Sequence, residues 1–175
     1  GELVALDCNK DMPVKNIEKL TEMASAYAIG RYIHVGDTII GIKGRVGFEA
    51  PAPLIIIKAH HLLEKHTLTK WQQFQKENLG NWYGMMLHEG NYLDEVMRNI
   101  EVFLQDTQRY VSGDVFVTLH SYRFTVNGIE SAHDLMNSSF ASYGESNEGW
   151  TAEDAKGFIK ISGNQGKIFN HVNKQ

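Results

Sequence analysis

Between Gly30 and Pro53 the sequence GRYIHVGDTIIGIKGRVGFEAPAP gathers His34, Asp37, Lys43, Arg45 and Glu49 among five glycines. Charges of both signs on a glycine-rich hairpin suit a zwitterionic ligand, its carboxylate held by Arg or Lys and its ammonium by Asp or Glu. Three readings of the stretch compete: a phosphate cradle, a substrate-binding hairpin and a solvated loop. A P-loop needs Gly, four residues, then Gly-Lys-Ser/Thr. Gly36 and Gly41 have that spacing, but Ile42 stands where the lysine belongs, and Lys43 is followed by Gly44. The dinucleotide pattern Gly-x-Gly-x-x-Gly is missing as well, because Gly41, Gly44 and Gly47 fall at steps of three. The cradle is set aside; the substrate hairpin and the solvated hairpin remain.

The histidines are the next candidates. AHHLLEKH offers His60, His61, Glu64 and His66. His60 and Glu64 are four apart, on one face of a helix, which is a spacing that can hold a metal. The His-Glu-x-x-His order is absent and His61 points elsewhere, so hydrogen-bonded histidines and no metal site are expected. Zinc at His60, Glu64 and His66 is the alternative. WQQFQKENLGNWYGMM is aromatic at helical spacing, which reads as core or subunit interface, not as a base-stacking platform. Cys8 has no His or cluster of cations near it in sequence and reads as a structural thiol. HEGNYLDE and Thr151–Ala155 read as caps and solvated faces.

Periodicity supplies the elements that would carry these groups. LVALDC, broken by Asn9, Lys10 and Asp11 before MPV, signals a hairpin. Ile17, Leu20, Met23, Ala24 and Tyr27 share one face of a helix over Asn16 to Ile29, with Gly30 just past its end. YIHV and TIIGIK read as strands about a turn at Gly36-Asp37. Pro51 can open a helix that continues through AHHLLEKH. Thr67 or Thr69 caps a longer helix, whose pattern Gly80 and Gly84 weaken. A further amphipathic helix spans Asp94 to Tyr110, with Val96, Met97, Ile100, Phe103 and Leu104 inward. DVFVTLHSYRFTVNGIES alternates and offers an Asn127-Gly128 turn. Residues 137–150 read as a surface loop, and Thr151 with Asp154 as a capping box before AKGFIKISG. The tail has a thin stripe at Ile168, Phe169 and Val172, too short to be a stable free helix, so it is expected to dock, for instance on another subunit. Strands and helices are partly segregated. This gives an α+β fold, a mixed or antiparallel sheet of short hairpins against several long helices, with a C-terminal oligomerisation tail.

Composition bounds the rest. The chain has 175 residues, enough for one domain with a core. It is 42% hydrophobic and 22% charged, with a net charge of −4 and a pI near 6.1. That balance argues against an electrostatic nucleic-acid or anionic-membrane partner. A single cysteine fits a reducing, cytoplasmic setting. No apolar run approaches the roughly 20 residues that span a bilayer. A strand under way at residue 2, behind a glycine and not a methionine, reads as a fragment of a longer chain.

Several ordered motifs together carry a resemblance. Val4-Ala5-Leu6-Asp7-Cys8 with Pro13-Val14 is similar to a family VALDG…PV opening. Ile29-Gly30-Arg31 through Gly41-Ile42-Lys43-Gly44-Arg45 to Phe48-Glu49-Ala50-Pro51 is similar to a GxGR-I-D-x-VENR-x-VG-x-KSRG-x-YETP block. Ala59 to Leu68 resembles AHxxLExxTL, Thr107 to Gly113 resembles TQxxVTG, and DAxGFIK stands at Asp154 to Lys160. The chain resembles, over nearly its whole length, the C-terminal or synthetase domain of the argininosuccinate synthase family.

The resemblance implies a ligase that joins citrulline to aspartate with ATP, releasing AMP and pyrophosphate, in the cytoplasm. ATP with Mg would be a substrate of the full-length enzyme and not be bound by this chain, because the family's ATP loop lies in an N-terminal domain of the same polypeptide. It also implies a homotetramer whose C-terminal tail reaches a neighbouring subunit. The implied division is a synthetase domain over 1–156 and a helical oligomerisation tail over 157–175. In many family members the Glu of VENR and the Tyr of YETP contact citrulline; those positions are Gly36 and Phe48 here. Thr38 replaces the family's Arg, and Gly44 its Ser. The expectation is that Asp37 takes over the carboxylate's role, with Glu49 the next candidate. A rearranged pocket, altered activity, and a non-catalytic oligomerisation or amino-acid-binding module are the alternatives. Lys43 and Arg45 are the expected anion contacts, and no catalytic residue is assigned.

Overall fold

Two prolines set where the first long helices begin. A proline at the first helical position lacks only an N–H that would have had no partner, and its φ is already helical. The computed structural model describes residues 5–6, 9–10 (backbone), 12–137 and 149–174. Within them α1 runs Pro13–Ser25 and α2 runs Pro51–Thr67. Before them, β1 (Ala5–Leu6) pairs antiparallel with β2 (Asn9–Lys10). The amino-terminal hairpin therefore turns before Asn9, not at Asn9–Asp11. Cys8 lies outside the described residues.

The α1 helix starts three residues earlier than its apolar pattern and stops at Ser25. Gly30 is accordingly not its C′ residue. It sits at φ +85°, and a Cβ there would lie 2.6 Å from the nitrogen of Pro51. Glycine is needed for that approach, which the Ala50 N–H reinforces by donating to the Gly30 carbonyl at 3.1 Å. The core forms at this junction from Leu20, Ala24, Ile29, Ala52 and Ile55, with Leu6, Val117, Leu119 and Phe124 packed against it. Each fully buried Leu or Ile contributes about 1.5–3 kcal/mol.

Helix α3 (Lys70–His88) carries the capping box: the Thr69 side chain accepts from the Gln72 N–H, and the Gln72 side chain accepts from the Thr69 N–H. Of the two threonines, Thr69 is thus the cap. Gly80 and Gly84 do not break α3, yet none of its residues is buried. Trp71, Phe74, Trp82 and Met85 are all exposed, so the aromatic pattern is not core within the chain. After a turn with Gly90 at φ +80°, α4 (Glu95–Thr107) is capped by Asp94 and turns Met97 and Ile100 fully inward. Polar contacts tie α3 to α4: the Tyr83 hydroxyl donates to Glu101 at 2.8 Å, and Arg98 pairs with the same carboxylate at 2.7 Å.

Strands β3 (Arg31–Asp37) and β4 (Lys43–Glu49) form one antiparallel hairpin, and β5 (Asp114–His120) and β6 (Arg123–Glu130) another. The second hairpin turns at Ser121-Tyr122, with Tyr122 at φ +62°. Asn127-Gly128 is not a turn. Phe116 pairs with Gly128 and Val117 with Val126, so Asn127 is the extra residue of a β-bulge. An Asn-Gly pair favours both features, which is why sequence pattern alone cannot separate them. Among the described residues all three sheets are two-stranded and antiparallel, in keeping with the α+β class.

The chain divides into two compact units, Gly1–Leu135 and Met136–Gln175. In the second, α5 (Ala152–Ser162) begins with the Thr151–Asp154 capping box. Hydrogen bonds from the Thr151 side chain and backbone hold Asp154 below the usual carboxylate range. Helix α6 (Asn164–Val172) follows directly. Phe158, Ile161, Ile168, Phe169 and Val172 are exposed. Most of the expected 137–150 loop lies outside the described residues.

Candidate functional site: the charged hairpin and a buried carboxylate

Alternation along a strand decides what the β3–β4 hairpin can present. Arg31 pairs with Glu49, Val35 with Arg45 and Asp37 with Lys43, and these pairs share one face. Tyr32 pairs with Phe48, His34 with Val46 and Gly36 with Gly44, on the other face. The hairpin therefore brings Asp37, Lys43, Arg45 and Glu49 together, and separately brings Gly36 together with Phe48. Neither Asp37 nor Glu49, the two candidates for the carboxylate missing at Gly36, lies on the face of Gly36. The loop lies at Thr38–Ile42, not at Gly36-Asp37: the Gly41 N–H donates to the Thr38 carbonyl at 2.9 Å, with Gly41 at φ +79°.

On the charged face, Lys43 pairs with Asp37, and Arg31 Nη2 lies 3.2 Å from Glu49 Oε1. Both pairs are exposed, so each is cheap to break, at about 0–1 kcal/mol. Arg45 has no ion-pair partner among the described residues. On the other face the His34 ring lies 6.3 Å from Tyr32 and 5.7 Å from Phe48, a short aromatic row beside the empty step of Gly36 and Gly44.

The histidine cluster separates into two structural sites. Glu64 is almost fully buried, at 1% exposure. Lys76 Nζ donates to its Oε2 at 2.7 Å, and Gln108 Nε2 to its Oε1 at 2.8 Å. His60 Nε2 lies 3.2 Å from Oε1 and 2.8 Å from the Gln108 side-chain oxygen. Burial raises the carboxyl's pKa, but the hydrogen bonds from His60, Lys76 and Gln108, with the charge of Lys76, outweigh it and hold Glu64 at about 2. His66 faces Asp134 instead, at 3.1 Å. No group of three or more His, Cys, Asp or Glu among the described residues is placed to hold a metal ion. Sequence reasoning found His60 with Glu64 but missed Lys76 and Gln108, which lie 12 and 44 residues from Glu64.

A family model described as the Arginosuccinate synthase C-terminal domain matches residues 1–169. The chain is 37% identical over 175 residues to the argininosuccinate synthase of Xanthomonas campestris, covering 99% of this chain and 43% of that relative. It is 32% identical over 174 residues to the argininosuccinate synthase of Xylella fastidiosa, with 99% and 43% covered. To that of Dehalococcoides mccartyi it is 33% identical over 168 residues, with 96% and 41% covered. The chain thus spans a little over two fifths of the curated relatives it matches.

Proposed function

The chain belongs to the argininosuccinate synthase C-terminal domain family, and from that premise we propose that it forms the synthetase part of a ligase that joins citrulline to aspartate at the expense of ATP. In this reaction the ureido oxygen of citrulline attacks the α-phosphorus of ATP and pyrophosphate leaves. The ureido carbon is a poor electrophile, since both nitrogens donate into it, and adenylation turns its oxygen into part of a leaving group. The aspartate amine then attacks that carbon, AMP leaves, and the amine proton passes to solvent or a base. Alignment of charged partners supplies much of the rate.

In this reading ATP and its Mg are substrates handled by an N-terminal ATP-binding domain of the same polypeptide. What supports this is that the sequence holds no recognisable phosphate loop. The chain by itself is then catalytically incomplete, and the assembled enzyme is a cytoplasmic homotetramer.

The observation that carries the reading is the family match over nearly the whole chain, with the family's hairpin block standing as one ordered element from Arg31 to Glu49. Citrulline would meet the face of Gly36 and Phe48, beside His34 and Tyr32. Lys43 and Arg45 of the opposite face would meet anionic groups brought by the rest of the enzyme. A non-catalytic relative is the second reading, favoured by the loss of polar groups at Gly36, Gly44 and Phe48.

Calorimetric titration of the full-length protein with citrulline tests this. Wild type should bind. Phe48→Ala should weaken binding by about 1 kcal/mol or more through lost ring contact, whereas Asp37→Ala should change it by less than about 0.5 kcal/mol. A large loss in Asp37→Ala alone would return the charge role to Asp37. No binding by wild type would favour the non-catalytic reading.

A further inference from the structure

A cleft of about 570 Å³ opens between α2, α3, β3 and β6. Its size is that of a small-molecule site. Leu54, Leu62, Phe124 and Val126 supply the apolar part of its lining, together with the Tyr32 ring. One stripe of α2 supplies Lys58, His61 and Lys65, which lie three and four residues apart and so share a helix face. Helix α3 answers with Gln73 and a single carboxylate, Glu77.

None of Lys58, His61 and Lys65 has a hydrogen-bond or ion-pair partner among the described residues. By contrast Lys76, also on α3, is spent on Glu64. Two fixed positive charges and a histidine thus face one carboxylate, in a chain whose net charge is −4. Unanswered cations beside an apolar lining, in an otherwise acidic protein, select for a ligand that is both anionic and greasy. A cation would meet repulsion there, and a bare inorganic anion would leave that lining wet.

We propose that this cleft binds a small organic anion with an apolar or aromatic body. Its carboxylate or phosphate is held by Lys58 and Lys65, and its body lies against Tyr32 and Phe124. Gly36 and Phe48 do not line the cleft, and Tyr32 is the one residue common to it and the proposed citrulline face, so the proposal does not rest on citrulline binding.

The test is ligand-observed saturation-transfer NMR on the full-length polypeptide, with benzoate, phenyl phosphate and benzamidine as probes. Benzoate or phenyl phosphate should bind, and the stronger of the two identifies the headgroup. Benzamidine, with the same ring and the opposite charge, should not. The double variant Lys58→Gln/Lys65→Gln should weaken the bound anion at least about fivefold, the equivalent of roughly 1 kcal/mol. Lys156→Gln, an exposed lysine outside the cleft, should change nothing. Equal binding of benzamidine, or an unchanged double variant, overturns the proposal. Citrulline titration of the double variant separates the two sites: unchanged citrulline affinity is expected, and a parallel loss would overturn the cleft's independence.

Discussion

Glu64 shows how far a single residue's surroundings can override its type. A carboxylate is among the side chains least often buried unless paired, and here it is shielded by α2 and satisfied by His60, Lys76 and Gln108. Its folded pKa of about 2 lies below the ordinary glutamate value of 4.5. The stabilisation this provides is therefore complete above about pH 4.5 and is lost as pH falls through 2. Glu64→Gln should cost about 3–5 kcal/mol at pH 7, because it leaves the Lys76 ammonium, itself largely buried, without its counter-charge. In urea unfolding, the gap between wild type and variant should narrow by about 2 kcal/mol between pH 7 and pH 3, at 1.36 kcal/mol per pH unit below 4.5. A gap that stays constant over that range would show that the charge of Glu64 is not what matters. At the hairpin the residue-scale lesson is one of parity. Asp37 is adjacent to Gly36 in sequence and on the opposite side of the hairpin from it.

Among the elements, α3 holds unused stability. Its interior carries Gly80 and Gly84, and a Cβ at either would meet nothing within 4 Å. Neither glycine sits at positive φ, so both are entropic costs of roughly 0.5–1 kcal/mol relative to alanine. Gly80→Ala and Gly84→Ala should each raise the unfolding temperature by about a degree, read by calorimetry of the full-length protein. If either lowers it, α3 is closely packed against another surface at that position, which would itself locate an interface along the helix. Gly30 is the contrasting case. With φ at +85° and the Pro51 backbone in the way, it is a glycine that the join between β3 and α2 requires.

For the molecule as a whole, the notable feature is how much apolar surface the described residues leave uncovered. Trp71 and Phe74 on α3 are 68% and 56% exposed, and Phe169 and Val172 on α6 are 67% and 73% exposed. Exposed apolar surface of this kind is what contact with other protein would cover. The proposed tetramer is one source of that contact. Removal of Lys167–Gln175, which takes Ile168, Phe169 and Val172 with it, should lower the mass measured by light scattering of the full-length protein. An unchanged mass would mean that the tail is not the oligomerisation element.

Local chemistry was enough to read several features from the sequence alone. Pro51 opens α2 because proline suits a first helical turn. Thr151 caps because it is followed three residues later by Asp154, which can return the hydrogen bond; between Thr67 and Thr69 the structure chose Thr69. Met97 and Ile100 face inward because they share a stripe of period 3.6. The α+β class, and the motifs that mark the family, follow from the order of such signals. What the tertiary structure alone decided has a common cause, which is pairing between residues distant in the chain. The register of β3 against β4 put Gly36 and Phe48 on one face and Asp37 and Glu49 on the other. The register of β5 against β6 made Asn127 a bulge and moved the turn to Ser121-Tyr122. The packing of α3 and the end of α4 onto α2 brought Lys76 and Gln108 to Glu64 and set Lys58 and Lys65 over an apolar cleft. Spacing along the chain carries propensity and period, but register and burial depend on which surfaces meet, and only the folded chain supplies that.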